Sequence, residues 1–267
     1  MKLQLIRHAT LWLEYGGMSL LIDPMLGDAG NAPPIPDTPG PRRNPLAPLP
    51  ASLPERLLTP DVLLVTHLHA DHWDAAAAAA LPRDVPLVCQ PGDAAKLAAQ
   101  GFVAVKPVAS SLEFRGVTLT RTGGRHGRGE LALRMGPVSG FVLQTPGEPT
   151  VYIAGDTVWG DDVRRTLEAF GPQLAVVNAG GARFLAGDPI TMDAADIVSV
   201  CRSAPRTRVA AVHLDAINHC VETRAQLTAA LAEAGVSEQV IIVEDGGWIQ
   251  DDGQWDEPSD GKSGGKS

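Results

Sequence analysis

The stretch Thr66-His67-Leu68-His69-Ala70-Asp71-His72 decides the fold of this chain. It follows the apolar run Val62-Leu63-Leu64-Val65, which has the length and composition of a buried strand. Side chains two positions apart on an extended backbone point the same way, so His67 and His69 can reach one ion together. Asp71 and His72 fall where the chain turns off the strand end and can aim at a second ion. Imidazole nitrogen and carboxylate oxygen are donors that borderline divalent metals such as zinc accept. The alternative is a solvated, His-rich loop. Clustered His and Asp favour the metal site.

The chain has 267 residues, 44% hydrophobic and 20% charged. That suffices for one large domain with a substantial core, expected over 1–250. The tail, 251–267, is polar and low in complexity and is expected to be disordered. No apolar run approaches the ~20 residues that span a bilayer, so no membrane insertion is expected. Polar residues interrupt Met1 to His8, which does not read as a secretory leader. Three widely spaced cysteines (Cys89, Cys201 and Cys220) fit a reducing, cytoplasmic compartment better than a disulfide framework. Net charge is −9 with no basic stripe, which argues against a nucleic-acid partner.

Short strands are expected at 3–6, 11–14 and 20–22, the third ending at Asp23-Pro24. The Pro-rich segment 27–60 cannot be helix or central strand. It is either a linker or a loop over the site, and its position inside a compact unit favours the loop. Asp74 reads as the N-cap of an Ala-rich helix, 75–81. Strand 87–89 and helix 93–100 follow. Paired strands then cover 117–121, 138–145 and 150–154. Helices at 161–170, 191–201 and 222–234 alternate with strands at 174–177, 209–212 and 240–243. Two halves of similar make-up suit two mixed sheets packed face to face.

With the motif His67-x-His69-x-Asp71-His72 after a strand, the chain resembles the metallo-β-lactamase-fold hydrolases. The early strand pair ending in Asp23-Pro24, together with His126 and the strand before His213, brings it nearest their lactonase-like and phospholipase-D-like branch. The resemblance implies an α/β fold, an αββα sandwich of two mixed β-sheets with helices on the outer faces. It also implies a third histidine, an Asp after a strand and a final histidine after a strand. His126 in Gly123-Gly124-Arg125-His126-Gly127, Asp156 after Tyr152-Ile153-Ala154-Gly155 and His213 after Val209-Ala210-Ala211-Val212 match that order. Carried over, His67, His69 and His126 bind one metal, Asp71, His72 and His213 bind a second, and Asp156 bridges them. His219 is a candidate for substrate contact, proton donation or metal binding, against an equally weighted structural role. His8, in Arg7-His8-Ala9, resembles the Gly-His-Ala step near the start of lactonase-like members, with Arg7 replacing the glycine. A non-cleft position is the favoured reading for it. Cys220 follows His219, and a place near the metal site is the alternative to its favoured role as a buried thiol.

The implied cofactors are two divalent ions, zinc first, with manganese or iron as alternatives. Such a pair holds a water and lowers its pKa toward neutrality, and the resemblance implies that Asp71 orients the resulting nucleophile. The expected activity is metal-dependent hydrolysis of a small ester, lactone or phosphodiester. Residual positive charge at the ions would suit an anionic substrate. A metal-containing sensor or binding protein without turnover and a metal-dependent nuclease are the alternatives. A homo-oligomer is left open.

Overall fold

Val62 to Val65 form a strand whose alternate residues serve two cores. Val62 and Leu64 belong to the core between the sheets, whereas Leu63 and Val65 pack with Trp73, Ala77, Leu81 and Leu97 on the outer side. Leu174 and Val176 face the inner core in the same way, and Ala175 and Val177 face outward. This period of two, with both faces apolar, marks strands buried between a sheet and a helix layer. The computed structural model describes residues 1–250. The tail expected to be disordered lies outside the described residues.

The first sheet contains β1 (Lys2–Arg7), β2 (Thr10–Tyr15), β3 (Met18–Ile22), β4 (Val62–Val65), β5 (Leu87–Cys89) and β6 (Val105–Pro107). The second contains β7 (Ser111–Phe114), β8 (Val117–Thr122), β9 (Gly140–Gln144), β10 (Val151–Ile153), β11 (Leu174–Asn178), β12 (Arg208–Val212) and β13 (Val240–Ile241). The last strand, β14 (Trp248–Gln250), returns to pair with β1, so the first sheet runs β14-β1-β2-β3-β4-β5-β6. The second runs β13-β12-β11-β10-β9-β8-β7. Each is mixed: hairpins give antiparallel pairs at one side, and β3 to β6 and β10 to β13 are parallel.

The helices α1 (Ala75–Ala80) and α2 (Ala94–Ala99) cover the first sheet. The helices α4 (Asp161–Phe170), α5 (Ala194–Ser203) and α6 (Arg224–Glu233) cover the second. This is the two-sheet sandwich that the motif implies. Asp74 caps α1 as expected, accepting from the Ala77 amide. Two helices begin later than the sequence suggests. Thr191 is buried and bonds Ala179 and Ala182, so α5 waits for its N-cap Asp193. The capping box of Thr223 and Gln226 sets the start of α6. A further helix, α3 (Gly129–Met135), and the short strands β6, β7 and β14 carry too little apolar pattern to be read from sequence.

The Pro-rich segment holds no helix and no named strand. It is fastened at its start and near its middle. The fully buried Arg7 guanidinium donates to the carbonyls of Met25, Gly27 and Ala47 at 2.8 to 3.0 Å. Further along, the Asn44 amide donates to Asn218 Oδ1 at 2.7 Å, and the Asn218 backbone N–H returns a bond to Asn44 Oδ1 at 2.9 Å.

Candidate metal centre

The candidate ligands come from strand ends that open on one edge of the sandwich. β4 runs into His67, β8 into the loop carrying His126, β10 into Asp156 and β12 into His213. Carboxyl ends of parallel strands are where open sheets gather ligands. The two-residue turn between β1 and β2 delivers His8 to the same place. Gly155, at φ +66°, makes the sharp step that aims Asp156 inward, and a Cβ there would lie 2.6 Å from the Ser139 carbonyl oxygen.

Two groups form. His67, His69, His126 and Asp156 offer ligand atoms within 4.8 Å of one another, and so do His8, Asp71, His72 and His213. Asp156 faces both groups. Its Oδ2 is 3.3 Å from His126 Nε2 and 3.8 Å from His67 Nε2, while Oδ1 is 3.2 Å from His72 Nε2 and 3.5 Å from His213 Nε2. All seven residues expected from the motif are therefore brought together, with His8 added. His8 is fully buried in the second group, against the favoured expectation of a place outside the cleft.

The hydrogen bonds around the cluster point its nitrogens inward. His72 Nδ1 lies 2.8 Å from Asp23 Oδ2, His126 Nδ1 donates to the Ile190 carbonyl at 2.8 Å, and His213 Nδ1 is 3.4 Å from Cys220 Sγ. Holding one ring nitrogen presents the other as a lone pair. His72 Nε2 and His213 Nε2 are buried, have no hydrogen-bond partner, and face the Asp156 carboxylate. Ring nitrogens without hydrogen-bond partners of their own that converge this closely on carboxylate oxygens fit a bound cation in place of the histidine protons. Asn178 Nδ2 donates to Asp156 Oδ1 at 2.6 Å and fixes that carboxylate from behind. Asp23 and Asn178 are supporting residues that motif reasoning did not supply, and Cys220 takes the place near the metal site that was the less favoured expectation for it. The Asp23-Pro24 step after a strand was the one visible signal for the first.

The protonation states suit ligation. Burial works to raise the Asp71 and Asp156 carboxyls, but the surrounding histidines, His72 foremost, hold both well below the usual carboxylate range. Burial lowers His67 well below its ordinary value and lowers His126 as well. It also brings His8 down to about 3 and His219 to about 4. Burial opposes a charge on His72 and His213 too, yet Asp156 overcomes it, raising His72 well above its ordinary value and His213 to about 10. A divalent ion would displace those two protons. Burial pushes the Cys89 and Cys201 thiols up to about 12 and about 11, leaving them unreactive.

A cavity of about 580 Å³ opens onto the cluster at His69, Asp71 and His126. His219 stands in its wall, and the Pro-rich segment supplies Pro33, Ile35 and Pro45. Trp73, Phe184 and Ile217 complete an apolar lining that contains no Lys or Arg among the described residues. No helix among the described residues is long and apolar enough to cross a membrane.

A family model described as the beta-lactamase superfamily domain matches residues 19–214. The UPF0173 protein YddR of Bacillus subtilis (strain 168) is 37% identical over 249 residues, covering 92% of this chain and 98% of its own. A UPF0173 metal-dependent hydrolase of Pyrococcus abyssi is 30% identical over 184 residues, 67% of this chain and 72% of its own. Among solved structures, the isothiocyanate hydrolase from Delia radicum gut bacteria superposes with a TM-score of 0.88 at 37% identity, covering 93% of this chain and 98% of that one.

Proposed function

Because this chain belongs to the beta-lactamase superfamily and is a metal-dependent hydrolase, we propose that it uses two divalent ions to add water to a small, neutral electrophile with an apolar tail. The supporting observation is the cavity. Three candidate ligands form its floor, its walls are mainly apolar with Asn31, Asn44, Asp74 and His219 among them, and it lacks a Lys or Arg side chain among the described residues. A phosphodiester would enter without the Arg or Lys that anion sites ordinarily supply. A neutral ester, lactone or isothiocyanate matches the lining better, and the related isothiocyanate hydrolase favours the last.

In this reading His67, His69 and His126 hold one ion, Asp71, His72 and His213 the other, and Asp156 both. When bound, the ions, zinc first, supply an acidified water and a Lewis acid. Asp71 orients the attacking water toward the electrophilic carbon. His219, neutral and buried beside the cavity, positions the substrate by hydrogen bonding to its heteroatom. The walls from Trp73, Phe184 and Ile217 hold the tail and exclude bulk water. For an isothiocyanate, one water adds to the N=C=S carbon and its first proton passes to nitrogen, giving a thiocarbamic acid; transfer of the remaining O–H proton to nitrogen with C–N cleavage then gives an amine and carbonyl sulfide.

The test is metal content by elemental analysis, followed by turnover of allyl isothiocyanate, p-nitrophenyl acetate, γ-butyrolactone and bis(p-nitrophenyl) phosphate. About two ions per chain, with turnover of a neutral probe above that of the phosphodiester, is expected. A chain that binds no zinc or manganese, or that prefers the phosphodiester, overturns the reading. Full loading with no turnover across the panel would favour a sensor.

A further inference from the structure

We infer that His8 is a positioning residue, donating its Nε2–H to Asp71 and holding that carboxylate for the second metal group, and is not itself a ligand. The inference rests on the binuclear reading above. His8 Nε2 lies 3.2 Å from Asp71 Oδ2, and both side chains are buried. The His8 ring packs on the His213 ring with centroids 3.7 Å apart, and the His213 amide donates to the His8 carbonyl at 2.9 Å. Asp71 Oδ2 is thus held between His8 and His213 Nε2, the latter at 3.5 Å.

The distinction between donor and ligand comes from the nitrogens. A neutral imidazole carries one N–H and one lone pair. In His72 and His213 the outward nitrogen is engaged and the inward Nε2 has no partner, the pattern of a ligand. In His8 the pattern is reversed. Nε2 has its partner in Asp71, and Nδ1 is the buried atom without one. Ligation through Nε2 would force the proton onto Nδ1, where no acceptor waits. With the proton on Nε2, the atom left over is only an acceptor, the deficiency that folded proteins tolerate more often.

The backbone supplies a second argument. His8 occupies a hairpin turn at φ +62°, a conformation open to Gly and Asn and uncommon for most other residues. Gly or Asn would fill this turn as readily, so the turn by itself does not call for an imidazole. That separates two explanations by experiment. Asparagine satisfies the backbone but places its amide where Nδ1 was. Glutamine fits the backbone less well, but its amide nitrogen reaches the place of Nε2.

The experiment compares H8Q, H8N and H8A with the parent in zinc content, zinc affinity and turnover of allyl isothiocyanate or p-nitrophenyl acetate. The ¹⁵N imidazole spectrum of the zinc-loaded parent reads the His8 tautomer without any need for activity. An Nε2–H tautomer is expected, with both ions retained in all three variants. Turnover number should fall about tenfold or more in H8A and H8N at little change in KM, and H8Q should recover most of it. A zinc-bound Nε2, or loss of one ion in every variant, overturns the inference by making His8 a ligand. Best recovery in H8N, or none in H8Q, overturns it by making the role conformational. A parent that binds no metal would instead remove the binuclear reading on which it stands.

Discussion

Asp23 accepts the Nδ1 proton of His72 at 2.8 Å, and the same carboxylate takes the Thr66 amide and hydroxyl, each at 2.7 Å. One buried side chain at the end of β3 thereby ties the start of the metal motif to its last histidine. Asp23 itself sits at φ +44°, a non-glycine residue held in an uncommon conformation.

Asp23→Asn should weaken metal binding although Asn is nearly the same shape. The amide can donate to Nδ1, which moves the His72 proton to Nε2 and blocks its lone pair. Loss of such an outer partner lowers metal affinity by about 10- to 100-fold. Calorimetric zinc titration should show one of two binding steps weakened in this range. Unchanged titration would mean that Asp23 serves only the Thr66 turn.

Asn218→Ala should loosen the wall of the cavity and leave the metals in place. Asn218 Oδ1 accepts from the Ile35 amide at 3.0 Å and from Asn44, and its Nδ2 donates to Thr38 Oγ1 at 2.6 Å and to the Gly40 carbonyl. Removing these buried partners costs on the order of 1–3 kcal/mol per group left unsatisfied. The expected result is a rise in KM with full zinc content and faster proteolysis within 31–46. A lower zinc content would show that the latch supports the cluster as well.

The motif from His67 to His72 was legible because clustered ligands are rare and their spacing fits a strand end. The strands around it were legible because residues such as Leu174 to Val177 are apolar on both faces. Metal-supporting residues were not. Asp23 and Asn178 are common residue types that stand 49 and 22 positions from the nitrogen and oxygen they hold. His8 was visible only as a partial match to a Gly-His-Ala step, since its place depends on the β1–β2 hairpin meeting the end of β12 across the two sheets. Weakly patterned elements such as α3, with no buried residue, leave no period to read.

Gly155→Ala should be more damaging than its size suggests. The residue is at φ +66°, and the added Cβ would meet the Ser139 carbonyl oxygen at 2.6 Å. Relief requires moving the step that precedes Asp156, so strain and misplacement of a shared ligand coincide. A loss on the order of 1–3 kcal/mol in urea unfolding is expected, accompanied by reduced zinc content. Full zinc binding at parental stability would show that the loop has another way to aim the carboxylate.

His219 should make the metal-free protein sensitive to acid. Burial is the chief cause of its low value, about 4 against an ordinary 6.5, so the folded chain keeps this imidazole neutral where the unfolded chain protonates it. As pH falls below 6.5, the unfolded state binds the additional proton and stability declines until the folded form also protonates near 4. His8 adds to the same trend down to about 3. His213 acts in the opposite sense: raised to about 10 in the folded chain, it contributes fully below 6.5 and loses that contribution as pH rises toward 10. His219→Gln removes one of the acid-sensitive groups and leaves His213 in place. Urea midpoints of the metal-free variant should therefore vary less between pH 6.5 and 4 than those of the parent, with similar behaviour above pH 7. An equally steep acid limb in the variant would mean that His219 is reached by water before unfolding, and that its ring does not stand in a dry wall.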